Sequence, residues 1–193
     1  GQSNASIALP KMNVLYIGYN NPVFVAAGGA GAEQLSVSIS GGGGSISGGR
    51  GEYIARVSSQ TDNCVISVSA NGKVLGQQSF RVRALPDPVA TVGGEPSGAN
   101  VSAAAFKAQA GVGAFVKDFP LDLKYSVTSF SIVADTEDGD IATADCTGNA
   151  WSPKARGIIN GLRAGQLITI ENIYCVGEDG RRRKLPALLY NMR

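Results

Sequence analysis

The stretch LSVSIS, Leu35–Ser40, alternates without a break: Leu35, Val37 and Ile39 fall on one side of an extended chain and the serines on the other. Side chains along a strand point to opposite faces with period two, so this pattern fits a strand with one face buried and one face wet. YIARVS (53–58), CVISVSA (64–70) and SFRVRAL (79–85) repeat it. MNVLYIG (12–18) and PVFVAA (22–27) are apolar runs split by a turn at Tyr19, Asn20 and Asn21. Asn71-Gly72 is a strong hairpin signal, joining residues 64–70 to 73–77. Short, evenly spaced strands without a helical window predict an antiparallel, immunoglobulin-like β-sandwich over residues 1–86.

Seven of the eleven residues in GGGGSISGGRG (41–51) are glycine. Gly44 and Gly49 have the spacing of a phosphate-binding loop, but Arg50 and Gly51 follow where that loop needs Lys and Ser/Thr. The segment also leads into strand 53–58, with no helix N-terminus to hold a phosphate. It reads as backbone turns flanking a short SIS strand.

Pro86, Asp87 and Pro88 mark a domain boundary and a short, stiff hinge. Each proline removes an amide donor and restricts the residue before it. A second domain, residues 87–193, is expected to be β-rich with one α-helix, so the fold class is mostly β. Residues 101–116 are ambiguous between alanine-rich helix and alternation, and an extended strand is expected from about Ala105. Residues 122–134 read as a long strand with a bulge near Ser129. The helix is SPKARGIINGLRAG, with Ser152 as N-cap, Pro153 in the first turn, an apolar stripe of Ile158, Ile159 and Leu162, and Gly165 as the stop. Residues 166–177, the Asp179-Gly180 turn and residues 184–192 form a closing hairpin.

The chain has no histidine, which removes Ser-His-Asp and Cys-His catalysis and histidine metal ligation. Cys64, Cys146 and Cys175 have no CxxC spacing; each is a candidate core residue, with a Cys146–Cys175 disulfide as the alternative. A net charge of +2 gives no reason to expect nucleic acid. DTEDGD (135–140) departs from the calcium-loop pattern, since Gly139 comes one position early and no distant Glu follows, so it reads as a solvated turn. Arg181, Arg182, Arg183 and Lys184 are either a solvated strand edge or a docking surface for an acidic partner. Trp151 reads as a core or interdomain anchor. No enzyme motif and no cofactor site emerge. The N-terminus lacks a targeting signature, no run could span a bilayer as a helix, and an initial glycine suggests a fragment of a longer protein.

Four segments, in order, carry a family resemblance: KMNVLYIGYNNPVFV, LSVSISGGGGSIS, FRVRALPDPVATVGG and ENIYCVGEDGRRRKL. Together they resemble the C-terminal periplasmic part of the GldM/PorM family, components of the type IX secretion and gliding-motility machinery of Bacteroidetes-type bacteria. The resemblance implies a non-enzymatic, homodimeric periplasmic scaffold, anchored in the inner membrane by an N-terminal helix not present in this chain. It also implies a GldL/PorL-type membrane partner for that helix, and GldK/GldN-type (PorK/PorN) outer-membrane-associated ring proteins as partners of the periplasmic part. The family offers no catalytic residues to carry over. The alternative is an adhesin-like module that binds glycan or peptide.

Overall fold

The computed structural model describes residues 5–8, 13–27, 31 and 34–193; Met12, in the first predicted strand, lies outside them. The chain divides into two compact units, Gly1–Leu85 and Pro86–Arg193.

The first unit is a β-sandwich. One sheet has the order β1 (Ala5–Ala8), β3 (Asn21–Ala27), β6 (Glu52–Arg56), β5 (Ser45–Gly49). The other has the order β2 (Val14–Tyr16), β8 (Lys73–Arg83), β7 (Thr61–Ala70), β4 (Leu35–Ser40). Their inner faces close over Leu15, Val23, Ile66, Val68, Phe80 and Val82, each at or near zero exposure. Alternation accounts for this core: β7 buries Cys64, Ile66, Val68 and Ala70 and turns Val65, Ser67 and Ser69 outward. The 71–72 turn has positive φ at both residues, 53° and 78°, as a type I′ hairpin requires. The SIS motif is β5, and the glycines around it make the turns that connect it to β4 and β6. Asn21 is buried yet satisfied: its Nδ2 donates to the carbonyls of Tyr16, Tyr19 and Ala55, and its Oδ1 accepts from Tyr16 N.

The second unit is built on one large sheet, from β10 (Asn100–Val101), β16 (Leu188–Met192), β14 (Leu167–Gly177), β12 (Tyr125–Asp135) and β13 (Ile141–Thr147), in that order. A further strand, β15 (Arg182–Leu185), pairs with β14 beside Ile173–Val176, while β16 pairs with the other end of the same strand, beside Leu167–Ile170. The expected closing arm, residues 184–192, is therefore two strands. Pro186, with no amide to donate, separates them. The bulge expected near Ser129 is present: the register between β12 and β14 shifts on both sides of Ser129, and Asn172 on β14 takes φ 52°.

A ribbon of β9 (Val89–Thr91) and β11 (Gly113–Phe115) adds to this unit, together with α1 (Ala103–Lys107) and α2 (Pro153–Asn160). The strand expected from Ala105 is corrected: residues 103–107 are helical, and the extended segment starts only at Gly113. Ser102 Oγ accepts from Ala105 N at 3.1 Å and opens α1, and alanine needs no side-chain ordering to follow. Five residues are too few to hold a helix alone. Arg156 supplies the rest by donating from Nη1 to Lys107 O at 2.7 Å and from Nη2 to Gln109 O at 2.8 Å, just past its C-terminus. Ser152 caps α2 as expected, but the helix ends at Asn160 with Gly161 as its cap, before Gly165. The i→i−3 bonds of Gly161 and Leu162 tighten the chain there and still bury Leu162. Trp151 is a core residue of this unit. Its ring contacts Phe106 and Phe130, and its Nε1 donates to Gln109 O at 2.8 Å.

Candidate functional site: an arginine clamp on the junction residues

Two of the sequence-selected groups, the Pro86-Asp87-Pro88 hinge and the basic run 181–184, meet in the second unit. Strand alternation explains how. In β15, Leu185 faces the core, so Arg183, two residues earlier, faces inward as well, and Arg182 and Lys184 face out. The Arg183 side chain is 3% exposed. A guanidinium this buried requires paired carboxylates. Its Nη1 and Nη2 donate to Asp179 Oδ1 and Oδ2 at 2.9 and 2.6 Å, a bidentate pair with a carboxylate that is itself 9% exposed. Its Nε donates to Asp87 Oδ1 at 2.9 Å, and Nη1 also reaches Arg181 O at 3.1 Å.

Asp87 is held a second time by Arg181 Nη2 at 3.0 Å, and the Tyr125 hydroxyl donates to Pro86 O. The Arg183 guanidinium lies 5.2 Å from the centre of the Tyr125 ring. Gly177 leaves room beneath the group. A Cβ there would lie 2.8 Å from Tyr125 Cε1 and 2.9 Å from Arg183 Nη1. Residues 86 and 87 are thus fixed to β12 through Tyr125 and to the β14–β15 hairpin through the two arginines.

The electrostatics follow from this packing. The hydrogen bonds from Arg183 hold the Asp179 carboxyl below its ordinary range, against the opposing effect of burial. The same bonds raise Arg183 further into its charged state. Burial pushes the Tyr125 hydroxyl up, with Arg183 partly offsetting it. Burial also raises the Cys175 thiol.

The basic run is therefore not a single surface. Arg183 is inside the fold and Arg181 is engaged with Asp87. Arg182 and Lys184 stay on the outer face, flanking Tyr174, with the Arg182 guanidinium 3.8 Å and Lys184 Nζ 6.0 Å from the ring centre. Sequence reasoning could have found the inward Arg183 by extending the period of Leu185 back by two. Asp179 lies four residues before Arg183 across the same turn, so that pairing has a local signal, whereas the role of Tyr125 has none, because Pro86 lies 39 positions away.

Cys146 and Cys175 are free thiols, so the disulfide alternative is corrected. They lie on β13 and β14, on opposite sides of β12, beside Phe130 and Val127 respectively. Two inter-strand spacings put them roughly 10 Å apart across the sheet alone, beyond the reach of a disulfide. Cys146 instead buttresses the cap of α2: its Sγ accepts from Ser152 N at 3.3 Å. Two of the DTEDGD carboxylates, Asp135 and Glu137, have separate partners. Asp135 Oδ2 accepts from Leu167 N, Glu137 pairs with Arg163, and Gly139, at φ 78°, closes the turn between β12 and β13. Among the described residues no cluster of three or more His, Cys, Asp or Glu side chains could hold a metal ion, and no helix is long and apolar enough to cross a membrane.

Comparison with known families places both units. Residues 4–83 match the family model of the GldM third domain, and residues 86–192 match that of the GldM C-terminal domain. The chain belongs to the GldM family. GldM domains mark a component of gliding motility and type IX secretion, a structural role with no known enzymatic activity in the family. No curated protein matches the chain. The two matches meet at the clamped segment: the GldM third domain ends at residue 83 and the C-terminal domain begins at Pro86, whose carbonyl Tyr125 holds.

Proposed function

We propose that this chain is a non-enzymatic periplasmic scaffold, a shaft segment of the type IX secretion and gliding-motility motor. In this reading it is homodimeric. It links an energised inner-membrane complex, including a GldL/PorL-type protein, to a GldK/GldN-type (PorK/PorN) ring at the outer membrane. The observation that supports the reading best is the clamp. A shaft must pass load through its junctions, and here residues 86 and 87 are tied by side chains to two elements of the second unit. A load arriving at residue 86 passes into β12 and the β14–β15 hairpin before any backbone turn has to open.

In the same reading, Arg182 and Lys184 are the part of the basic run that docks an acidic partner, since they remain on the outer face. The test replaces both with glutamate and measures binding to purified GldK/GldN-type ring proteins across a salt series. The expected result is weaker binding and a shallower salt dependence. Unchanged affinity and slope would remove docking at these residues. A monomeric mass in solution would remove the homodimer.

A further inference from the structure

The outer face of the β9–β11 ribbon carries a cleft of about 340 Å³ that the scaffold reading does not use. Its construction follows from strand alternation. Ala90 and Ala114 turn into the core, while Thr91 and Val89 face outward, opposite Gly113 and Phe115 respectively. Glycines leave the floor bare, and neighbouring side chains lie across it. A Cβ at Gly113 would sit 2.6 Å from Phe115 Cε2, so the ring lies over Gly113. A Cβ at Gly93 would sit 2.8 Å from Gln109 Cδ, so that carboxamide lies over Gly93. An aromatic ring bounds one end and a carboxamide the other, with Asn149 and Ala150 also in the lining.

Two independent observations make this more than a surface dent. Thr91 Oγ1 is the one buried side-chain oxygen or nitrogen among the described residues with no hydrogen-bond partner, and Thr91 lines the cleft. A buried hydroxyl without a partner is unfavourable and calls for an explanation. Phe115, at the mouth, is 61% exposed, an unusual position for a phenyl ring, whereas Phe106 and Phe130 of the same unit are core residues and Phe119 is half-buried.

The lining contains no charged side chain, which points to a neutral ligand. Its polar side chains are one hydroxyl and two carboxamides, groups that both donate and accept, as sugar hydroxyls do. Phe115 offers an aromatic face to the C–H face of a pyranose ring. A peptide added as a strand would need pockets for alternate side chains, and Phe115 is the only exposed large apolar side chain in the lining.

We propose that this cleft binds a neutral saccharide. Phe115 swings off Gly113 to stack on the sugar ring, Gln109 and Asn149 hydrogen-bond its hydroxyls, and Thr91 Oγ1 gains the partner it lacks. The proposal is independent of the scaffold role. It is tested on the 193-residue chain by following the backbone amide resonances of Gly93, Gly111 and Gly113 during titration with cellotriose, triacetylchitotriose and an end-capped trialanine peptide. Saturable shifts are expected with at least one trisaccharide and not with the peptide. Phe115→Ala should weaken that binding by about tenfold or more. Thr91→Val should also weaken it, while raising the melting midpoint of the unliganded protein by a few degrees, because the unpartnered hydroxyl is gone. Phe115→Ala changes an exposed side chain and Thr91→Val is isosteric, so both are expected to fold, and the midpoint measurement checks it. Three results would overturn the proposal. These are no saturable saccharide shifts at millimolar concentration, shifts with the peptide alone, or saccharide binding indifferent to both substitutions.

Discussion

Arg183 Nε donates to Asp87 Oδ1 at 2.9 Å, joining residues 96 positions apart in the chain. The two partners differ in setting: the Arg183 side chain is 3% exposed and that of Asp87 is 66% exposed. Arg183 is anchored from within by Asp179, and Asp87 is the surface group it reaches. The two carboxylates therefore make different contributions, and mutation should separate them.

Asp179→Ala removes the buried partner and leaves the guanidinium without its bidentate pair. The expected loss is about 3–5 kcal/mol from the second unit. Asp87→Ala breaks only solvent-screened contacts and should cost less than about 1 kcal/mol. Denaturant unfolding followed by Trp151, the sole tryptophan and a core residue of that unit, measures both. Equal losses would show that the clamp is not organised around Asp179.

The clamp should also set an acid limit. Asp179 has a lower pKa folded than unfolded, so its stabilisation is complete above its ordinary value of 3.8 and disappears as pH falls through the folded value. Wild-type stability should therefore fall more steeply than that of Asp179→Asn as pH drops below about 4. Parallel curves would contradict the assignment. Tyr125 acts at the other extreme: its raised pKa gives stabilisation that is present below its ordinary value of 10.0 and lost as pH rises through the folded value.

All three thiols should be silent in the native protein and equivalent after unfolding. Cys64, Cys146 and Cys175 are buried and unbonded, and burial raises the pKa values of Cys64 and Cys175. A thiol reagent should modify none of them within minutes under native conditions and all three in denaturant without prior reduction. Two masked thiols in denaturant would restore the disulfide.

Adjacent glycines in β5 should behave oppositely. Gly48 has φ 139°, and a Cβ there would lie 2.2 Å from Glu52 O, a backbone atom that cannot step aside. Gly48→Ala should destabilise the first unit by about 2 kcal/mol or more. Gly49 has nothing within 4 Å of such a Cβ, and Gly49→Ala should be neutral or stabilising by up to about 1 kcal/mol. Thermal unfolding of the two variants makes the comparison.

Much of this was legible in the sequence because alternation is a local code. LSVSIS, CVISVSA and the Asn71-Gly72 turn each specify a face or a bend from neighbours alone. The Ala103–Lys107 helix was not, since its C-terminal end is completed by Arg156, nearly fifty positions on. The clamp shows the same divide. Period two places Arg183 inward and the local turn sets Asp179 four residues before it, yet only the pairing of β12 with β14 brings Tyr125 alongside. The charge run suggested a solvated patch because a count of arginines does not register which of them a strand turns inward.

The placement of β16 has a kinetic consequence. This strand pairs with β14 on one side and, in parallel, with β10 on the other, so Val101 meets Met192 across most of the unit's length. Such a pairing must close a loop of about ninety residues before its hydrogen bonds compensate for the ordering. The β12–β13 hairpin needs no such closure and can form early. The second unit should therefore fold by growing its sheet outward from a local hairpin, with residues 100–101 among the last to lock. Until they do, the outer edge of β16 stays open to pairing with other chains.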